Sequence, residues 1–239
     1  MSNRRSGIVK ILITGGSQGI GLAIAKELHT AGHELFLVAR NPERLDSTIK
    51  SFSAKVQGFA CDIGKEGQID ALINATRREN FYPDVIVLNA AAFGGPERSV
   101  LKPSPDELRQ LLEVNVLSNY QLVQGFIETL KKSQYPRIII IGSTAGIRVD
   151  DGSLYGVTKW ALRSYSYFLR NELKQLGVGV TLINPGGTFT QKRVPNEKIP
   201  ADRLLEASDV GKLVAAILTL SPQAVVEELN IRPLLGDTY

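Results

Sequence analysis

The sequence predicts an α/β fold: a single doubly wound parallel sheet of seven strands with helices on both faces. Three observations predict it. Short apolar, β-branched runs alternate with segments of helical spacing along the whole chain. Those runs suit strands buried on both faces, as in a parallel sheet. A glycine-rich turn, Gly15 to Gly21, joins the first run to the first helical segment.

Each element follows in order. Lys10-Ile-Leu-Ile-Thr14 reads as a short buried strand. Residues 22–31 have helical spacing, with Leu22, Ala25 and Leu28 on one face and Gly32 as the stop. Residues 34–40 are a second strand, and Pro42 sits where a first helical turn accepts proline. A third strand over 55–60, a helix over 66–78 and a fourth strand over 84–89 come next. Pro103-Ser104-Pro105 opens a long helix running to about Lys132, with Ser104 as N-cap and Glu107 completing a capping box. A fifth strand spans 136–142, and a second long helix spans 153–176. On that helix Val157, Ala161, Tyr165, Leu169 and Leu173, four apart, are expected to share one face. Residues 178–184 form strand six and 185–205 a loop; a helix over 207–220 and a strand over 226–232 complete the sheet. No linker, repeat or low-complexity segment interrupts residues 1–239, so a single domain is expected, with a short loop near 187–205.

Composition narrows the function classes. Apolar residues make up 43% and charged residues 22%, which excludes disorder, collagen and coiled coil. No run approaches the 18 or so apolar residues of a membrane helix, so no membrane partner is expected. The one cysteine, Cys61, excludes an internal disulfide and a cysteine-built zinc site, and no metal is expected. It fits a reducing compartment, and residues 1–7 run into a strand without a leader pattern, so the expected location is cytoplasmic. The net charge of +4 comes from scattered lysines and arginines with no basic stretch interleaved with aromatics, so nucleic acid is not an expected partner.

The chemistry begins at Thr14-Gly15-Gly16-Ser17-Gln18-Gly19-Ile20-Gly21. A glycine turn after a strand and before a helix permits close approach of a pyrophosphate, which the helix N-terminus favours. It is not a P-loop, since Gly64-Lys65 is followed by Glu66. An NAD site wants a carboxylate near the end of the second strand. This chain has Arg40-Asn41 there, and a guanidinium suits a 2′-phosphate, so the expected cofactor is NADP(H). The bland alternative is a solvated strand-end arginine. Tyr155 and Lys159, four apart on the second long helix, share a helical face. The lysine charge favours the phenolate and lowers the tyrosine pKa, as a general acid/base requires. By itself such a pair more often means a packed tyrosine beside a solvated lysine. Ser143 stands just past strand five at the carboxyl edge, where open α/β sheets bind ligands, although a strand-end serine is more often a cap.

Taken together, Thr14-Gly15-x-x-x-Gly19-x-Gly21, Asp62-Ile63, Asn89-Ala90, Asn115, Ser143, Tyr155-x-x-x-Lys159 and Pro185-Gly186-x-x-x-Thr190 resemble the short-chain dehydrogenase/reductase family over nearly the whole chain. The resemblance implies a Rossmann fold and a tetrad of Asn115, Ser143, Tyr155 and Lys159. In it Tyr155 donates a proton to the carbonyl oxygen during reduction and Ser143 hydrogen-bonds that oxygen. Lys159 binds the nicotinamide ribose and lowers the Tyr155 pKa, and Asn115 holds a water in the proton relay. Asp62 contacts the adenine amino group, with Ile63 beside it. Gly15, Ser17, Gln18, Gly19, Ile20 and Gly21 border the pyrophosphate, and Asn89 and Ala90, after strand four, also belong to the cofactor site. Pro185, Gly186, Thr188 and Thr190 belong to the segment that touches the nicotinamide carboxamide.

Two motifs depart from the family pattern. Leu88-Asn89-Ala90-Ala91 replaces the usual Asn-Asn-Ala-Gly, adding a methyl near the cofactor, and Thr188 replaces an apolar residue. The loop after Thr190 has few large apolar residues, which disfavours a deep steroid pocket. Lys192, Arg193 and Lys198 could meet an anionic group on a substrate, against the blander reading of a solvated loop. The expected activity is hydride transfer between NADP(H) and a small ketone, aldehyde or 3-oxoacyl compound. The alternative is a non-catalytic NADP(H)-binding regulator on the same fold. Apolar residues beyond one sheet-facing stripe on helices 104–132 and 153–176, including Trp160, Tyr167 and Phe168, predict a homodimer or homotetramer.

Overall fold

The strands form where four to seven residues are rich in isoleucine, leucine and valine, whose branched side chains fill a pleated surface. The protein is described by a computed structural model covering residues 7–53, 56–94, 104–148, 153–191, 193–196 and 199–237. The strands are β1 (Lys10–Thr14), β2 (Glu34–Ala39), β3 (Val56–Ala60), β4 (Val85–Leu88), β5 (Arg137–Ile141), β6 (Gly179–Pro185) and β7 (Glu228–Ile231). They make one seven-stranded sheet in the order β3-β2-β1-β4-β5-β6-β7, and every pairing is parallel.

The helices are α1 (Gly19–Thr30), α2 (Pro42–Lys50), α3 (Gln68–Arg78), α4 (Pro105–Leu112), α5 (Ser118–Leu130), α6 (Leu154–Leu173) and α7 (Ala207–Leu218). Successive strand residues point to opposite faces, which splits the core in two. Ile138 and Ile140 of β5 join the cluster under α3, α5 and α6. Ile139 and Ile141 join the cluster under α1, α2 and α7. Each fully buried side chain of this size contributes about 1.5–3 kcal/mol.

Helix boundaries follow local chemistry. Asn41 caps α2, its Oδ1 accepting from Arg44 N at 2.7 Å, with Pro42 in the first turn. Ser104 Oγ accepts from Glu107 N at 3.3 Å and caps α4. Ser153 Oγ accepts from Gly156 N at 2.9 Å and caps α6. After α1, Gly32 takes the left-handed conformation (φ 87°) that turns the chain into β2.

Three expectations need correction. The helix over 104–132 is interrupted by a π-helical turn, Glu113–Leu117, between α4 and α5. The α-helix of 153–176 stops at Leu173, and Lys174–Leu176 form a 3-10 turn ended by Gly177 (φ 72°). The face of α6 is also different from the one the four-residue spacing suggested. Val157 is 52% exposed, whereas Thr158, Lys159, Leu162, Ser166, Leu169 and Leu173 are buried. Steps of four overrun a 3.6-residue turn, so a strict spacing of four drifts around the helix and cannot stay on one face over four steps. Among the described residues no helix is long and apolar enough to cross a membrane.

Candidate active site

In the sheet order the chain reverses between β1 and β4, and open α/β sheets bind ligands in the crevice at that point. The glycine turn lies there. Gly15 N and Gly16 N both donate to Val38 O, at 2.7 and 3.2 Å, which ties the turn to β2. Gly15 (φ 70°) and Gly19 (φ 54°) take left-handed conformations that favour glycine. A Cβ on Gly21 would collide with the Gly15 carbonyl oxygen. The first turn of α1 contains no acidic residue, and its amides lack intrahelical acceptors. Gly19 N donates to Gln191 Oε1 at 3.1 Å. A turn of this shape fits a dinucleotide pyrophosphate.

The crevice is braced by Thr14, which is buried at the end of β1. Its Oγ1 donates to Val87 O (3.3 Å) and accepts from Asn89 N (2.9 Å) and Ala90 N (3.1 Å). Asn89 Nδ2 donates to Thr14 O at 2.9 Å. Asn89 and Ala90 therefore form the opposite wall, and their amides and Asn89 Nδ2 hold it in place.

Asn115 stands at the centre of the π turn and is fully buried. Such turns concentrate at functional sites because the extra residue re-aims a side chain. Asn115 Oδ1 accepts from Ala92 N (2.8 Å), and Nδ2 donates to Ala92 O (2.9 Å) and to Thr158 Oγ1 (2.9 Å). Thr158 Oγ1 in turn donates to Tyr155 O at 2.8 Å. Asn115 thus links the loop after β4 to the backbone of Tyr155. Both its amide hydrogens are committed.

Lys159 is buried one turn after Tyr155, its Nζ donating to Ile141 O at 3.0 Å and lying 5.5 Å from the Tyr155 ring centroid. Burial pushes its ammonium down to about 8. Ser143 follows β5 in extended backbone, and its Oγ accepts from Ala145 N at 3.1 Å, capping a 3-10 turn at Thr144–Gly146. Its amide donates to Asn184 Oδ1 at 3.3 Å. The serine thus caps the turn while standing at the carboxyl edge of the sheet.

Of the residues assigned to the cofactor, Arg40 is exposed at the end of β2, beside the Asn41 cap. Asp62 Oδ1 accepts from Gly64 N at 3.2 Å after β3, while the side chain of Ile63 is buried in the core. Ile63 can therefore face a ligand only through its backbone. At the end of β6, Thr188 is buried with Oγ1 donating to Gly186 O at 3.0 Å, and it bridges to Leu205. Thr190 bridges to Arg193. The Arg193 guanidinium lies against Gly187, folded back over the loop, whereas Lys192 and Lys198 lie outside the described residues.

Several residues at the site escaped the sequence reading. Thr158 and Asn184 are buried polar braces, and only tertiary contact distinguishes such residues from ordinary core threonines and asparagines. Phe93 stacks on Tyr155 with ring centroids 5.0 Å apart and 25° between planes. Arg44 Nη1 donates to Gln18 Oε1 at 2.5 Å and brings a second guanidinium to the glycine turn. The position of Arg44 in the first turn of a capped helix after Arg40 was the available signal.

The sheet order, the glycine turn at its switch point and the Tyr155–Lys159 pair at the carboxyl edge define an oxidoreductase of the dinucleotide-binding α/β class. The chain belongs to the short-chain dehydrogenase family, whose pattern matches residues 9–199. The family uses a nicotinamide cofactor and acts on small-molecule substrates. An uncharacterized oxidoreductase of Staphylococcus epidermidis is 27% identical over 224 residues, covering 93% of this chain and 96% of the relative. Farnesol dehydrogenase of Aedes aegypti is 30% identical over 235 residues, covering 93% of this chain and 95% of the relative. The alcohol dehydrogenase of the archaeon Thermococcus sibiricus, solved with 5-hydroxy-NADP, is 25% identical with a TM-score of 0.87, covering 98% of this chain and 100% of that one.

Proposed function

We propose that this oxidoreductase uses NADP(H) and interconverts a carbonyl and its alcohol, with Tyr155 as general acid/base. The observation that carries the reading is the buried Lys159 ammonium one turn from Tyr155, with Nζ on the last carbonyl of β5, two residues before Ser143. Burying a cation is costly, and a protein that only binds nucleotide could use the lysine on a ribose but has no need of Tyr155 and Lys159 together. The bound nicotinamide supplies or accepts the hydride. Tyr155 Oη gives the proton to the carbonyl oxygen in reduction and removes it in oxidation. Lys159 holds the nicotinamide ribose and favours the phenolate. Ser143 hydrogen-bonds the reacting oxygen. Asn115 acts by position through Thr158; with both amide hydrogens spent, it offers a relay water only an oxygen acceptor.

Arg40 takes the place of the carboxylate that would bind a ribose 2′-hydroxyl, which supports NADP(H). The Thermococcus enzyme, solved with 5-hydroxy-NADP, supports the same choice. The substrate is a small ketone, aldehyde or 3-oxoacyl compound, and Phe93 gives the phenol an apolar flank. Arg193 is folded against Gly187, which weighs against a role in meeting an anionic group. Burial pushes the Cys61 thiol up to about 11, with Asp62 adding to the shift, so it stays an inert thiol. A lone buried thiol of this kind supports a cytoplasmic location.

The test is an NADPH-oxidation screen over 3-oxoacyl thioesters, diketones, aldehydes and quinones. Turnover with one class, lost in Tyr155→Phe, is the expected result. Activity retained by Tyr155→Phe on a confirmed substrate would overturn the mechanism.

A further inference from the structure

The loop after β6 that bears Thr188 and Thr190 is held from outside itself. Gly187 O accepts from Leu205 N at 2.8 Å. Gly187 N donates to Oδ1 of Asp237 at 3.1 Å. Asp237 lies beyond β7, in a segment that turns at Gly236 (φ 83°), where Gly236 N donates to Pro233 O at 2.9 Å. The turn brings the chain back under the loop. The Asp237 side chain is 3% exposed, and its Oδ2 lies 3.7 Å from Arg232 Nε. Arg203, just before Leu205, donates from Nη2 to Gly236 O at 3.5 Å. A Cβ on Gly186 would collide with Asp237 Oδ1 and lie 3.0 Å from Pro233 Cδ. Glycine at 186 is thus required by the segment that occupies the space beside it.

We infer that Asp237 is a positioning residue for the nicotinamide end of the cofactor site. A buried carboxylate is costly unless a charge or a hydrogen bond compensates it. Here Oδ1 takes the Gly187 amide hydrogen, while the buried Oδ2 has no hydrogen bond and only the charge of Arg232, 3.7 Å away. Gly187 is then tied through both of the peptide groups that flank its Cα, and Thr188 and Thr190 are presented from a set backbone. A charge-assisted hydrogen bond suits this, being roughly twice as strong as a neutral one. The inference rests on the reading that residues 185–190 meet the nicotinamide.

The experiment compares two ligands by titration calorimetry on the full chain: NADPH, and 2′-phospho-ADP-ribose, which lacks only the nicotinamide. Asp237→Ala is expected to weaken NADPH binding about tenfold or more while 2′-phospho-ADP-ribose stays within about twofold. Asp237→Asn keeps an oxygen acceptor without the charge and is expected to fall between. Unchanged affinity for both ligands overturns the inference, and so does a parallel loss of both, which marks a merely structural role. If Asp237→Ala does not fold, Asp237→Asn and Arg232→Gln carry the same test, with a changed ligand ratio expected and an unchanged ratio fatal. If the wild type binds NADH and not NADPH, the NADP(H) reading fails on its own. The same ratio, taken with NADH against ADP-ribose, then decides on Asp237.

Discussion

Lys159 concentrates the energetics of the site in one residue. Its buried ammonium titrates at about 8, below the value near 10.4 of an unfolded chain. Between those values the unfolded state holds more protons, so stability rises with pH across that window, and the burial penalty is fully present below it. The urea midpoint of the wild type should therefore gain on that of Lys159→Met as pH climbs from about 7.5 to about 10. Parallel curves for the two proteins would remove burial as the cause of the shift. Tyr155→Phe removes one oxygen, so it should keep the fold and NADPH affinity while turnover drops by about 100-fold or more. Arg40→Ala should cost about 1.5–3 kcal/mol of NADPH binding and little of NADH binding, read as the ratio of the two affinities. Arg40, Tyr155 and Lys159 were legible in the sequence because strand ends and helical spacing place them. Thr158 and Asp237 were not, because their roles depend on partners 43 and 50 residues away.

Among the elements, the π turn between α4 and α5 decides where Asn115 points. Helical periodicity predicts one continuous helix there, since an extra residue per turn leaves little mark on an apolar pattern. Asn115 reaches both Ala92 and Thr158 from this turn. Thr158→Val keeps the volume but strips the acceptor from a buried amide hydrogen. It should cost about 1–3 kcal/mol of stability, measured by urea unfolding, and disturb Tyr155 through its carbonyl. A stability within experimental error of wild type would show that Asn115 finds another acceptor. The glycine turn behaves differently: strand, turn and helix are all local, so its place in the sheet was readable from the sequence.

Over the whole molecule, α6 leaves an unburied apolar face. Val157, Trp160, Tyr167 and Phe168 are exposed on it, as are Leu117 and Tyr120 on the neighbouring helical stretch. We propose that a second copy covers this face in a two-fold homodimer, alone or within a homotetramer. Light scattering should give a multiple of 26.1 kDa for the wild type, and Phe168→Glu should shift the mass toward a single chain. A wild-type monomer at micromolar concentration would refute the assembly.

The sequence by itself determined the parallel α/β class, the strand and helix order and the places of the glycine turn, Ser143, Tyr155 and Lys159. Those follow from hydrophobic run length, helical spacing and the chemistry of single residues, which act over a few positions. The tertiary structure alone decided which face of α6 is buried and how Asn115 reaches Tyr155. It also decided that the segment after β7 closes beneath the loop after β6. Such choices depend on hydrogen bonds and steric limits between residues tens of positions apart, as between Gly187 and Asp237. No local pattern encodes those pairings, because each is set by how the packed elements meet.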